Sequence, residues 1–320
     1  METAMEFISL NNPVRSVLKY CNLPKSTFYY KPTDGKQGRK PYAQMYDNKG
    51  NTVTNTIILN EITTLFEMPF VDYGCLKTYF YLRDRKHYKV SKHKVYSLMK
   101  VNNLLRNRHQ ISSKKSRRNI VVDLIPQTTG PFTYFEFDIK YMWVTGKKRN
   151  AQMLTIIDIE SRIVLGQFIA YSIQKQHVIA LFKEIIAVYG LPTNFIVRSD
   201  NGSQFVAKLT QDYLLNEGII QEFTKPATPQ QDAHIEAFHS IIERAICQRF
   251  IFVDIKDLNK TMKEFIDFYN FDRIHSGTGY TSPYLYLLQQ EEGKSSPGLK
   301  SVLFFLTQNY ENYLNNVSKV

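Results

Sequence analysis

The stretch FTYFEFDIKYMWV (132–144) decides the fold, because it is dense in aromatic and β-branched residues and bounded by turn-forming ones. AQMLTIIDIE (151–160) and RIVLGQFIAY (162–171) repeat the composition, set apart by TGKKRN and by a tight turn at Ser161. Three such runs with short polar connections read as a meander of antiparallel strands. IQKQHVIALFKEIIAVYG (173–190) then changes period, with apolar residues at 178, 181, 182, 185, 186 and 188. It reads as a helix stopped by Gly190 and Pro192. A strand at 194–198, a helix at about 204–217, a strand at 219–223 and a helix from Ala233 to about Phe250 complete the order β-β-β-α-β-α-β-α. Hairpins first and crossovers afterwards imply an α/β fold, a mixed five-stranded sheet with flanking helices.

Outward from this core, residues 53–105 predict three helices. The first carries apolar residues at 57, 58, 62, 65 and 66; the second turns Leu76, Tyr79, Phe80 and Leu82 to one side. The third is N-capped by Ser91 and turns Val95, Leu98 and Met99 inward. Lys92, His93 and Lys94 in its first turn oppose the helix dipole, so phosphate contact is a better reason for them than helix stability. A tri-helical unit with a basic last helix is the pattern of a helix-turn-helix module. The reading divides the chain into an N-terminal helical segment and linker (1–50), a helix-turn-helix region (51–110), a basic linker (111–130), the sheet-based core (131–252) and a C-terminal extension (253–320). Near the N-terminus, Ser26 is read as the cap of a short helix ending at Tyr30, and KPTDGKQGRKP (31–41) as a linker.

The 320 residues carry a net charge of +12. From Arg83 to Arg118, thirteen Lys and Arg stand against Asp84 alone, so this block holds the whole excess. Such concentration points to a polyanion, nucleic acid first, with a solvated basic face as the plain alternative. Three widely spaced cysteines make neither a disulfide framework nor a zinc site. No apolar run is long enough to span a bilayer, and the first residues lack the form of a secretory signal. A cytoplasmic location without membrane partners is expected.

Three acids fall at telling places: Asp138 within the first strand of the meander, Asp200 at the end of the fourth, and Glu236 in the first turn of the last helix. That helix buries Ile235, Phe238, Ile242, Ala245 and Ile246, so Glu236 projects from another face beside His239 and Ser240. Each acid has a structural alternative. Asp138 could pair with an arginine, Asp-Asn-Gly at 200–202 is a turn former, and Glu236 complements a helix dipole. Together they would place three carboxylates at one sheet edge, which requires cations.

The second and third acids are 36 residues apart, and the surrounding motifs are specific. SDNGSQF (199–205), ATPQQDAHIEAFHS (227–240), YNFDRIHSGTGYTSP (269–283) and the run from Val71 to Leu104 together resemble the D,D(35)E transposases and retroviral-type integrases, with a ribonuclease-H-like core. The resemblance is nearest to the second-frame (OrfB) transposases of insertion sequence family three. It implies metal-dependent cleavage at insertion-element ends and strand transfer into target DNA, with Asp138, Asp200 and Glu236 as catalytic metal ligands. Two Mg²⁺ ions, or Mn²⁺, are implied, with Asp138 bridging them. It also implies a homo-oligomer on DNA, a bacterial nucleoid setting and possible pairing with an upstream-frame helix-turn-helix protein. Lys86, Lys89, Lys92, Lys94, Arg117 and Arg118 are the candidate phosphate contacts, joined by His239, Arg244, Arg273 and His275. A catalytically silent DNA-binding copy and a nuclease of the same fold are the alternatives. The chain departs from the pattern at Phe135, where tryptophan is usual, at Thr278 in place of leucine, and at Glu243, where a basic residue contacts DNA ends and Arg244 is next to it.

Overall fold

The computed structural model describes residues 1–30, 42, 44–106, 128–191, 194–224, 233–291 and 297–317. The predicted linker at 31–41, the loop at 225–232, and most of the basic linker, with Arg117 and Arg118, lie outside them. Two compact units result, Met1–Ala43 and Gln44–Val320.

The first unit holds helices α1 (Glu2–Ser9), α2 (Val14–Tyr20) and α3 (Lys25–Phe28), with Ala4, Val17 and Leu18 at its centre. The cap of α3 is Pro24, not Ser26. Proline fixes φ at a helical value without needing a donor, so the helix begins two residues earlier than a cap at Ser26 would start it.

The second unit begins with β1 (Gln44–Asp47) and β2 (Thr52–Thr54). Helices α4 (Asn55–Glu67) and α5 (Cys75–Phe80) follow, the latter extended by a π turn over Tyr81–Arg85. Then come β3 (Tyr88–Lys89) and α6 (Lys92–Val101). The three helices are those the sequence predicts, and Ser91 Oγ accepts the Lys94 N–H as its cap role requires. A small antiparallel sheet in the order β2-β1-β3 joins them, beginning inside the segment read as N-terminal linker. Met45, Val53, Ile58, Ile62, Leu82, Val90, Val95 and Met99 form one core across helices and sheet.

The main sheet contains β4 (Tyr134–Val144), β5 (Arg149–Asp158), β6 (Val164–Ala170), β7 (Ile196–Ser199) and β8 (Ile220–Phe223), in the order β6-β5-β4-β7-β8. Pairings β4–β5 and β5–β6 are antiparallel; β4–β7 and β7–β8 are parallel. Helices α7 (Lys175–Tyr189), α8 (Lys208–Asn216), α9 (Ala233–Ile242, continued by a π turn to Cys247), α10 (Ile255–Phe271), α11 (Pro283–Glu291) and α12 (Pro297–Val317) cover it. Alternation along β4 assigns the two faces. Phe135 and Phe137 enter a core with α7, α11 and α12, whereas Met142 and Val144 join the core of α9 and α10. The even-numbered face therefore carries Glu136, Asp138 and Lys140 as well. Among the described residues no helix is long and apolar enough to cross a membrane.

The turn leaving β4 is pressed against the segment before α10, where Phe252 O accepts the N–H of Thr145 at 2.9 Å. A Cβ on Gly146 would stand 2.1 Å from the Val253 carbonyl oxygen. Backbone cannot yield as a side chain does, so Gly146→Ala should cost at least about 2 kcal/mol. Urea unfolding checks this; an unchanged midpoint refutes the packing.

Candidate active site

The parallel register of β4 and β7 pairs Tyr134 with Ile196, Phe135 with Val197 and Glu136 with Arg198. The recorded pairing ends there: Asp138 lies two residues further along β4, where its ladder partner is Thr155 of β5. Asp200 follows the last residue of β7 and is exposed. Its Oδ1 accepts the Gly202 N–H at 2.8 Å, so the turn reading of Asp-Asn-Gly holds for that oxygen. A Cβ at position 202 would meet Asp200 Oδ1 at 3.0 Å and Gln204 Nε2 at 2.5 Å, which explains the glycine.

Helix α9 is fixed over β4 by a residue the sequence reading passed over. Glu136, its side chain wholly buried, accepts the Ile235 N–H at 2.7 Å and meets His234 Nδ1 at 2.8 Å. A carboxylate at a helix N-terminus satisfies donors the helix cannot and complements its dipole. One turn on, His239 Nδ1 lies 3.5 Å from Asp138 Oδ2; one more, Glu243 pairs with Lys140 Nζ at 3.0 Å. The helix thus meets the polar face of β4 in steps, and Glu236 sits in its first anchored turn. The signal lay in FEFDIKY, where Glu136 shares a strand face with Asp138 and precedes it by two.

Burial sets the protonation states. Glu136 is pushed up to about 7 by desolvation, against the Ile235 hydrogen bond and the fields of Arg198 and Arg162. Glu236 is raised by desolvation and then by the charge of Glu136. His239 is pulled down to about 4 by burial and then by Lys140, so its contact with Asp138 joins a neutral imidazole to a carboxylate. A folded pKa above the unfolded value makes Glu136 favour the native state less as pH rises from about 4.5 to about 7. Glu136→Gln should therefore gain stability relative to wild type across that window, by on the order of 3 kcal/mol. Denaturant titrations at several pH values would read it; a pH-independent difference counts against the assignment.

The other candidates divide. Lys89 and Lys92 are exposed, the Lys92 ammonium lying 5.6 Å from the Tyr79 ring centre. Lys86 pairs with Glu61 at 2.8 Å, a partner brought by α4. Lys94 is buried together with Val95 and Met99, which corrects its reading as an outward phosphate contact: the inward stripe of α6 is wider than its apolar residues. Arg244 Nε meets Asp72 at 3.2 Å. Arg273 and His275 are also buried, Arg273 in an ion pair with Asp72, so neither lies on the open surface expected of a backbone contact. Glu243, at the position where a basic residue was expected, is occupied with Lys140. Among the described residues, no three carboxylate, imidazole or thiol side chains stand close enough together to hold one metal ion. The donors that Asp138, Asp200 and Glu236 offer are oxygens only, the kind a hard divalent cation takes.

Residues 128–229 and 217–283 match the integrase core domain family. The chain is 24% identical over 169 residues to the transposase for insertion sequence element IS904 of Lactococcus lactis subsp. lactis, covering 52% of this chain and 66% of that protein. It is 23% identical over 167 residues to a 39.2 kDa protein of insertion element IS476 from Xanthomonas euvesicatoria, covering 52% and 46%. The match thus spans less than two thirds of either relative. The HTLV-2 integrase catalytic core domain, solved with magnesium, superposes with a TM-score of 0.39 at 14% identity, over 50% of this chain and 99% of that one. Residues 128–283 thus carry the match to the integrase core domain family, and a transposase of an insertion sequence is among the proteins the chain is similar to.

Proposed function

We propose that the protein is a transposase that cuts DNA at the ends of an insertion element and joins the freed ends to target DNA. What supports this most is that Asp138 lies on β4 and Asp200 directly after the end of the neighbouring parallel strand β7, beside a helix whose first turn carries Glu236 and is anchored to β4 by Glu136. Asp138, Asp200 and Glu236 would hold Mg²⁺ or Mn²⁺, which when bound supplies Lewis acidity to the phosphoryl oxygens and to the attacking and leaving oxygens. The chain's own part is placement. Glu136 fixes the first turn of α9, the turn that carries Glu236. His239 stays neutral beside Asp138 and adds no positive charge that would compete for the carboxylate. No serine or tyrosine nucleophile is needed, since water and then a DNA 3′-hydroxyl attack in turn. Exposed Lys89 and Lys92 near α6 hold the backbone, and a homo-oligomer brings two ends together in the bacterial nucleoid, with an upstream-frame helix-turn-helix protein as a further partner.

The test is to incubate the full chain with labelled element ends, with Mg²⁺ and with chelator. Joined products that need the metal support the proposal. Cleavage without joining would indicate a nuclease, and binding without chemistry a silent DNA-binding protein.

A further inference from the structure

Behind α9, on the side away from Asp138, lies a cleft of about 510 Å³ whose lining contains no carboxylate. Lys77, Arg162, Arg244 and Arg273 line it, with the imidazoles of His234 and His275. Two acids stand behind the lining: Asp72 is shared by Arg106, Arg244 and Arg273, and Glu136 meets His234. Arg273 is 1% exposed, yet its Nε and Nη1 have no hydrogen-bond partner; the same holds for Arg162 Nη1 and for His275 Nε2. Buried guanidinium donors left unpaired are costly, and proteins rarely keep several in one place without something for them to bind. Lys77 lies in the same surroundings: burial first, then the charge of Arg273, pulls it down to about 7.

We propose that this cleft is a phosphate site, taking the terminal phosphate of a DNA strand. The fixed forks of Arg162 and Arg273 match the tetrahedral oxygens of a phosphate, and Arg244 closes the rim. Depth selects the kind of phosphate. Arg273 lines the cleft yet is 1% exposed, so meeting its unpaired atoms requires the guanidinium to shift toward the ligand, which favours a group with one free end over a phosphodiester flanked by two sugars. Gly277 leaves room for the Arg162 guanidinium, since a Cβ there would stand 3.0 Å from Arg162 Nε and push it aside. The source of the phosphate rests on the proposed DNA function; the anion site itself does not.

The experiment uses the full chain with two kinds of probe: pyrophosphate, read by thermal stabilisation, and duplexes differing only in a 5′-phosphate or 5′-hydroxyl, read by anisotropy. The variants are Arg162→Asn and Gly277→Ala. Arg162 has φ of 66°, a conformation asparagine tolerates, so that variant should fold. The 5′-phosphorylated duplex is expected to bind about tenfold more tightly than its hydroxyl twin, the worth of one charge-assisted pair. Both variants should bring that ratio close to one and remove stabilisation by pyrophosphate. Pyrophosphate stabilisation lost in the variants, with the two duplexes bound equally or not at all, upholds the phosphate site and rules out a DNA end as its source. Wild type indifferent to both probes, or variants that respond as wild type does, overturns the proposal.

Discussion

Asp138→Asn should reduce the joining of DNA ends by at least about a thousandfold while moving the melting temperature by no more than about 2 °C. The amide keeps the shape of the carboxylate but loses its charge and one acceptor, and a neutral amide is a poor partner for a hard divalent cation. Stability should hardly respond, because the side chain is 28% exposed and its contact with His239 involves a neutral ring. Asp254→Ala should do the reverse. Asp254 caps α10, accepting the N–H groups of Lys256 and Asp257 at 2.8 and 2.9 Å, and its loss should cost about 1 kcal/mol without touching joining. Paired joining and melting assays on both variants separate chemistry from folding. Joining that survives in Asp138→Asn removes this residue from the reaction and with it the proposed mechanism.

Where a property repeats locally, the chain showed it openly. Ile235, Phe238, Ile242, Ala245 and Ile246 are all buried, as their spacing in α9 requires, and the three runs after Phe132 became β4, β5 and β6. Edges were blurred where a turn competes with an element. The helix expected from about 204 begins at Lys208, because Gly202 O accepts the N–H groups of Phe205 and Val206 and closes a turn first. Strands β1 to β3, of four, three and two residues, are too short to show alternation. Long-range charge was the least visible. Glu136 finds Ile235 almost a hundred residues away, and Asp72 finds Arg244 and Arg273 still further on; no local pattern marks either acid. Lys94 was misread for a related reason: a basic residue in a helix's first turn looks solvent-facing in the sequence, whereas the fold buries it.

Asp72→Ala should destabilise the chain by about 3–5 kcal/mol, more than any other single change argued above. Asp72 follows the α4 helix, with side chain 3% exposed, and faces three arginines. Two of these contribute little: Arg106 and Arg244 are 46% and 44% exposed, so water screens their attraction. Arg273, at 1%, is different, since removing Asp72 leaves its guanidinium buried with no counter-charge. The neighbouring Tyr73 hydroxyl accepts the Ile274 N–H at 3.0 Å, so two consecutive residues grip the segment after α10. The double variant Asp72→Ala, Arg273→Met should recover most of the lost stability, because it replaces a stranded charge with apolar volume rather than breaking a favourable bond. If urea unfolding finds the double variant no more stable than the single one, the cost lies in packing and not in the unpaired guanidinium. Recovery, by contrast, would mean that the buried Asp72–Arg273 pair adds to the apolar contacts of Phe70, Val71 and Tyr73 in holding the α4–α6 region to the sheet-bearing core, and that loosening it should release the α5–α6 helices before the main sheet opens.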